Sequence, residues 1–183
     1  MSRHHLNRAF GVAALAGLLV SLCVNVAALL GVVALLQLPW IWALHFGIFL
    51  VFGPFVLDYR KAFPRKPALA ELRARFPDWV MALGLGVFLY ALANFALFMG
   101  KTGGGNPVLR DGQYLLLSHG RLIRELSSSE YDGLRLNEVR GFSGHWLLFY
   151  FVPMAYFLLR RGTGEALWVG SVRPPPSPPS PGS

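Results

Sequence analysis

The sequence predicts an all-α integral membrane protein: a four-transmembrane-helix bundle with a small β-hairpin plus helix inserted outside the membrane. The chain has 183 residues, 54% of them hydrophobic, and these are gathered in long runs. From Ala9 to Leu57, 49 residues contain no Asp, Glu, Lys or Arg. About 20 apolar residues span a bilayer, so this run is long enough for two crossings. A surface helix of a soluble protein needs a polar face, which so uncharged a run does not supply.

The apolar runs and their interruptions place the four spans. The first run continues from residue 10 to residue 36, far longer than the apolar core of a signal peptide, so this span is predicted to stay uncleaved. Pro39 cannot continue a helix and predicts a tight turn between the first two spans. Pro153 lies near the middle of the fourth span and predicts a kink. The predicted spans are 10–36, 41–57, 79–99 and 145–161.

The basic residues predict the orientation of these spans. Loop 58–78 carries six Lys or Arg and the two terminal segments add five, whereas segment 101–144 carries six that are balanced by five acids. Cytoplasmic loops carry the excess of Lys and Arg, so both termini are predicted to be cytoplasmic in a multi-pass protein of the inner membrane. Contacts with anionic lipid headgroups then explain the net charge of +8, and no nucleic-acid partner is predicted.

Two further segments are predicted to be cytoplasmic. Within loop 58–78, Leu69, Leu72 and Phe76 form an apolar stripe typical of a short helix that lies in the membrane interface. The tail 162–183 ends in RPPPSPPSPGS and is predicted to be disordered, because its prolines favour an extended conformation and cannot build a core. A ligand for a proline-recognition domain is the alternative for this tail.

Segment 101–144 is predicted to form a periplasmic cap. A hairpin is expected from strands 113–117 and 121–126, because His119-Gly120 between them suits a two-residue turn. Ser127 and Glu130 have the spacing of a capping box and predict the start of a helix. Such a unit is too small to be stable alone, so it should bury an apolar face on the spans. The candidates for that face are Tyr114, Leu116, Leu122, Tyr131 and Leu134.

Part of this region resembles known sequences. The stretch 111–150, with HGRLIREL followed by VRGFSGHWLLFY, resembles a segment of small uncharacterised bacterial inner-membrane proteins with four helices. It covers about a fifth of the chain. The resemblance implies the same compartment and carries no activity.

The string Gly141-Phe142-Ser143-Gly144 has two interpretations. It resembles the nucleophile motif of rhomboid intramembrane proteases, which need about six spans and a histidine base from a distant helix. With four spans predicted, we favour a structural role: Ser143 caps the fourth helix, while Gly141 and Gly144 let the chain turn into it. No metal site and no cofactor are predicted, and the single cysteine, Cys23, is read as an apolar filler.

Polar residues within the spans collect at one depth. His45, Asn94, Gln37 and His145 all fall within about 10 Å of one another in depth near the outer surface, at 1.5 Å per helical residue. Interhelical hydrogen bonding is the favoured role for this cluster. The alternatives are a small-molecule or proton site, and a haem or metal site. Asn25 lies deeper and is expected to bond to another helix.

The sequence is compatible with two classes of function. The first is a non-enzymatic accessory, sensory or assembly component that presents the periplasmic cap to a partner. The second is a small membrane redox subunit that interacts with quinone or haem through its polar groups near the periplasmic surface. The predicted partners are the lipid bilayer and either another membrane protein or a second copy of the chain. Small residues at every fourth position, Ala13, Gly17 and Ser21, would allow close helix contacts.

Overall fold

The computed structural model describes residues 3–161. Two short 3₁₀ segments, Val33–Gln37 and Pro39–Trp42, lie between the first two helices, and a π-helical turn, Ala155–Leu159, follows the last. The helices and strands are, in chain order, α1 Arg3–Leu29, α2 Ala43–Ala62, α3 Leu69–Arg75, α4 Asp78–Thr102, β1 Asn106–Arg110, β2 Gln113–Ser118, β3 Arg121–Glu125 and α5 Ser128–Met154.

Four helical segments of the described chain are long and apolar enough to cross a membrane, which confirms the predicted number. They are His5–Leu29, Pro39–Ala62, Asp78–Thr102 and Ser128–Leu159. The last has 32 residues and is about 48 Å long, more than the roughly 30 Å of a bilayer core, so its first turns extend beyond such a layer. We call the end of the bundle that carries β1–β3 the sheet end, and the opposite end, with loop 63–77, the basic end.

Helix α5 is the centre of the bundle. It packs against α1, α4 and α2, and α1 also contacts α2. Trp146 of α5 is fully buried, and Tyr150 and Phe151 are nearly so. α2 and α4 have no extensive contact with each other, so they flank α5 as separate walls.

The ring of Tyr150 lies in a slot between two glycines. A Cβ at Gly17 of α1 would overlap this ring, and a Cβ at Gly47 of α2 would overlap its hydroxyl oxygen. The hydroxyl donates a hydrogen bond to the carbonyl oxygen of Leu44, 2.7 Å away. One side chain of α5 therefore joins three helices, and the missing side chains of the two glycines make room for it.

The first helix ends earlier than predicted. The prediction of a span to residue 36 is wrong, because Gly31 adopts a φ of +76° and closes the helix. The N–H of Val32 donates to the carbonyl of Ala27 (3.0 Å) and the N–H of Gly31 to that of Ala28 (3.2 Å), the Schellman pattern that satisfies the last carbonyls. The chain then turns through the two 3₁₀ segments, and α2 continues five residues past its predicted end at Leu57.

The predicted turn at the start of the fourth span is also wrong. α5 is one continuous helix from Ser128, so the predicted cap helix and fourth span are a single element. Ser143 lies in its interior, where its hydroxyl donates to the carbonyl of Arg140 (3.1 Å) and does not cap a helix. Gly141 and Gly144 are helical and buried. A Cβ at either would overlap Phe98 or Asn94 of α4, so these glycines serve close helix packing.

The helix cap of α5 lies at Ser127, as its capping box predicts. The Ser127 hydroxyl accepts from the N–H of Glu130 (3.2 Å), and the Glu130 carboxylate accepts from the N–H of Ser127 (2.8 Å). Two otherwise unpaired backbone donors are satisfied in this way.

The sheet has three antiparallel strands in the order β1-β2-β3, one more than the predicted hairpin. Asp111-Gly112 and His119-Gly120 both have positive φ, as two-residue hairpin turns require. Leu116 is buried as predicted, but Leu122 is exposed, so its assignment to the buried face is wrong. At the basic end, the predicted interfacial helix corresponds to α3. The tail 162–183 lies outside the described residues.

Candidate functional site

A long apolar groove lies on the outside of the bundle, with α2 as one wall, α5 as its floor and Phe95 of α4 on the other side. It has a volume of about 880 Å³. It runs from His45, near the start of α2, to Leu57, a helical distance of about 18 Å. Its other lining residues are mainly aromatic and aliphatic: Ile48, Phe49, Phe52, Gly53, Val56, Phe95, Phe142, His145, Trp146 and Phe149. We call this feature the α2–α4 groove.

His45 is the first residue of α2 to line the groove, and aromatic rings surround it. Its ring centroid lies 5.9 Å from that of Phe142 and 6.3 Å from that of Phe49, both edge to face. The indole N–H of Trp146 donates to His45 Nδ1 over 3.2 Å. An indole nitrogen can only donate, so His45 Nδ1 must accept, and the proton of the neutral ring is on Nε2.

His145 has the opposite arrangement. Its Nδ1 lies 2.9 Å from the carbonyl oxygen of Gly141, one helical turn earlier. A carbonyl can only accept, so Nδ1 carries the proton and Nε2 of the neutral ring is an acceptor. The ring also packs edge to face on Phe95, at 5.2 Å. The two histidines at the sheet end of the groove therefore favour opposite neutral tautomers, and within residues 3–161 no hydrogen bond to either Nε2 atom is found.

The four polar residues that the sequence places at one depth separate into different environments. His45 and His145 both line the groove. Asn94 faces away from it and donates to the carbonyl oxygens of Arg140 (2.9 Å) and Gly141 (3.4 Å) on α5. Gln37 lies in a 3₁₀ segment and is exposed. Depth alone therefore did not determine which of these side chains meet.

A buried polar network joins α1, α4 and α5 on the other side of the floor helix. The Asn25 amide donates to Ser143 Oγ (2.9 Å) and to the carbonyl of Arg140 (3.2 Å), and its oxygen accepts from the Tyr90 hydroxyl. Asn25 is 2% exposed and Asn94 3%. The expectation that Asn25 bonds to another helix is confirmed, and its partners lie on two helices.

Arg140 is a buried residue that the sequence analysis placed outside the bundle. It is 8% exposed, and its guanidinium donates to the side-chain oxygen of Asn137 (2.8 Å). Asn137 in turn donates to the carbonyl of Phe98 on α4 (3.2 Å). In the described part of the chain no carboxylate pairs with Arg140. Leu136, Val139 and Ser143 recur at helical spacing around Arg140. This period is the sequence signal that places Arg140 in a helix.

Metal and haem binding were the remaining alternatives for the histidines. Residues 3–161 contain no group of three or more His, Cys, Asp or Glu side chains that could hold a metal ion. For a pair of histidines to ligate haem iron, both Nε2 atoms would have to be unprotonated. The bond from Trp146 keeps the Nε2 proton on neutral His45, so this ring is arranged to donate a hydrogen bond and not to ligate iron.

Comparison with known proteins finds no relative for this arrangement. No protein family, no curated protein and no solved structure matches the chain. The resemblance of residues 111–150 to small bacterial inner-membrane proteins therefore stays a prediction, and the function rests on the geometry of the groove and the polar network.

Proposed function

We propose that the protein is a non-enzymatic accessory or sensory component of a membrane that binds a lipid-soluble molecule in the α2–α4 groove. The observation that carries this proposal is a long groove of about 880 Å³ whose surface is almost wholly apolar, with the rings of two histidines at one end. Ligand sites are typically concave and mostly apolar, with a few polar groups that fix the orientation of the ligand. The proposed role is non-enzymatic, as predicted from the sequence. The binding groove includes His45 and His145, which the alternative redox function would also use.

The position of the groove favours a ligand from the lipid phase. The groove is open on the outer side of helices long and apolar enough to span a membrane, and its lining residues Phe49 and Leu57 are 67% and 63% exposed. A molecule that enters sideways from the acyl-chain layer meets only apolar side chains until it reaches the histidines. An elongated apolar molecule that lies along α2 would match this lining.

A side chain that fills the groove should abolish binding without disturbing the bundle. Gly53 lines the groove, and a Cβ added there meets no atom within 4 Å. Gly53→Leu should therefore place a leucine in the groove and lower the amount of co-purified ligand at least about tenfold, since each excluded CH₂ contact is worth about 0.8 kcal/mol. Mass spectrometry of organic extracts from the purified protein measures this amount.

Gly86→Leu is the matched control. Gly86 lies on α4, lines no part of the groove and also has open space around it. This variant should retain the same bound molecule at the same ratio as the unaltered chain. The proposal is wrong if the extracts of the unaltered protein and of Gly53→Leu contain the same compounds in equal amounts.

For the orientation we propose that the sheet end is periplasmic and that both termini are cytoplasmic, in the inner membrane of a bacterium. The support is the charge distribution: loop 58–78 carries six Lys or Arg, whereas the six of segment 101–144 include the buried Arg140 and are offset by five acids. A reporter that is active only in the periplasm should show activity when inserted at Gly112, in a sheet turn, and none when fused after Ser183. The reverse pattern would invert the topology.

The cap offers weaker support for a partner-binding function. β3 is an edge strand with all five residues exposed, among them Leu122 and Ile123. An open edge can pair with a strand of another chain. However, charged residues at Arg121, Arg124 and Glu125 are a common means of preventing such pairing, so the groove carries the proposal.

A further inference from the structure

A small cavity lies at the basic end of the bundle, where α1, α2 and α5 meet. It has a volume of about 360 Å³, and polar groups form part of its surface. A round cavity of this volume is about 9 Å across, so an anion in it lies within about one Debye length of every lining charge. We call it the basic-end cavity. Its lining residues are Asn7 of α1, Asp58, Lys61 and Ala62 of α2, and Arg160, directly after the π-helical turn.

Arg160 is held in place on the wall of this cavity by an aromatic ring. Its guanidinium carbon lies 4.4 Å from the centroid of the Tyr156 ring, and one guanidinium N–H donates to the Tyr156 hydroxyl over 2.6 Å. That hydroxyl donates in turn to the Asp58 carboxylate, 2.9 Å away. A guanidinium has five N–H donors, and the bond to Tyr156 uses one of them. The cation is therefore oriented and keeps donors for a phosphate oxygen.

The basic-end cavity lies at the depth where lipid headgroups are expected. Three of the segments long and apolar enough to cross a membrane have an end beside it. The segment His5–Leu29 begins two residues before Asn7, Pro39–Ala62 ends at a lining residue, and Ser128–Leu159 ends one residue before Arg160. Basic pockets between helices at this depth are suited to anionic headgroups.

We infer that the basic-end cavity binds the phosphate diester of an anionic phospholipid whose headgroup carries no further charge, as in phosphatidylglycerol. This inference goes beyond the proposed function, because it concerns a different site at the other end of α2. Two cations and one carboxylate give the lining a net charge of +1, which one phosphate diester neutralises. An ethanolamine headgroup adds an ammonium. Asp58 attracts that ammonium, but the two cations Lys61 and Arg160 outweigh it.

The test compares two lipids that share their acyl chains and their phosphate. The full-length protein in detergent is titrated with dioleoyl-phosphatidylglycerol and, separately, with dioleoyl-phosphatidylethanolamine, and native mass spectrometry measures the affinity for the first lipid bound. We expect phosphatidylglycerol to bind about fivefold more tightly, the effect of about one unit charge near a membrane surface. Equal affinities, or tighter binding of phosphatidylethanolamine, would overturn the inference.

Lys61→Gln tests whether the cavity is the site of this preference. It removes one cation at an exposed position, so most of the fivefold advantage of phosphatidylglycerol should be lost. Lys66→Gln is the matched control, because Lys66 is also exposed but does not line the cavity, and this variant should keep the advantage. The ratio of the two affinities is compared within each variant, so a change in stability alone does not alter it. An equal loss in both variants would show diffuse attraction to the basic end and overturn the inference.

Arg160→Gln tests the oriented guanidinium in the same way. It should remove at least as much of the advantage as Lys61→Gln does, because it removes directed donors together with a charge. Retention of the full advantage in Arg160→Gln would overturn the assignment of the phosphate to this cavity.

Inorganic phosphate separates a lipid headgroup from a soluble anion. A large molar excess of sodium phosphate should not displace phosphatidylglycerol, because the free ion lacks the acyl chains that hold a headgroup at the cavity. Displacement by phosphate would show that the cavity takes a soluble anion and would overturn the lipid assignment. Gly53→Leu, which fills the α2–α4 groove, should leave the preference for phosphatidylglycerol unchanged. The two sites can therefore fail independently.

Discussion

Replacing Gly17 with leucine should destabilise the bundle by about 3 kcal/mol, the upper part of the usual range for overpacking a core. Even a Cβ at this position overlaps the ring of Tyr150, which is 3% exposed and bonded through its hydroxyl to Leu44. The ring cannot move toward α2, because its hydroxyl oxygen already lies against Gly47. The leucine must therefore separate α1 from α5. Reversible unfolding in mixed detergent micelles, followed by circular dichroism, measures the change.

Ala16→Leu is the matched control for this variant. Ala16 precedes Gly17 in α1 but is exposed, so a leucine there should change the unfolding free energy by less than about 0.5 kcal/mol. The double variant Gly17→Leu/Tyr150→Ala should be more stable than the sum of the two single effects predicts, because the alanine removes the ring that the leucine displaces. Strict additivity would show that the slot is not the source of the destabilisation.

Replacing Asn25 with alanine should cost about 2 kcal/mol of unfolding free energy, the second-largest effect expected. The change leaves the carbonyl of Arg140, the hydroxyl of Ser143 and the hydroxyl of Tyr90 without their Asn25 partner. An unsatisfied buried group costs about 1–3 kcal/mol in soluble proteins, and interhelical hydrogen bonds in membranes reach about 1.7 kcal/mol. The same detergent titration measures the loss, and resonances of α4 and α5 should shift together in methyl NMR spectra.

Pairs of variants test the hydrogen-bond network around Asn25 more sharply than single variants do. Tyr90→Phe alone removes one hydroxyl from the Asn25 oxygen, so combining it with Asn25→Ala should add little further loss. Cys23→Ala, at an exposed position of the same helix, is the control and should be close to neutral. An Asn25→Ala variant as stable as Cys23→Ala would contradict the role of Asn25 as the connection between three helices.

Much of the fold could be predicted because its signals are local. A run of 49 residues without charge can form little other than apolar helices. The capping box at Ser127 places the start of α5 within one residue. The third strand was also available in the sequence, because Asp111-Gly112 is as strong a hairpin signal as His119-Gly120. The three glycines before β1, at 103–105, are by themselves typical of a loop and hide the strand signal at 106–110.

The errors occurred where one residue type serves two structural purposes. Glycine ends helices and also lets helices approach closely, so Gly31 and Gly144 have similar local signals but opposite roles. Arg140 illustrates a related difficulty. A charge is costly in a membrane span, so the sequence alone favours a position outside the bundle. The packing of α5 between α1 and α4 instead encloses the side chain beside Asn137.

The sequence by itself determined how many apolar helices this protein has, which segments join them, and that polar side chains occur near one end of the spans. It could do so because helix length, charge-free runs and turn residues act over a few neighbouring positions. Only the tertiary structure decided that His45 and His145 share a groove while Asn94 joins Asn25 in a separate network. Which residues meet depends on how far each helix is rotated about its own axis and on which helices lie beside it. Contacts between helices, such as that of Tyr150 with two glycines, determine this rotation, and no local sequence pattern does.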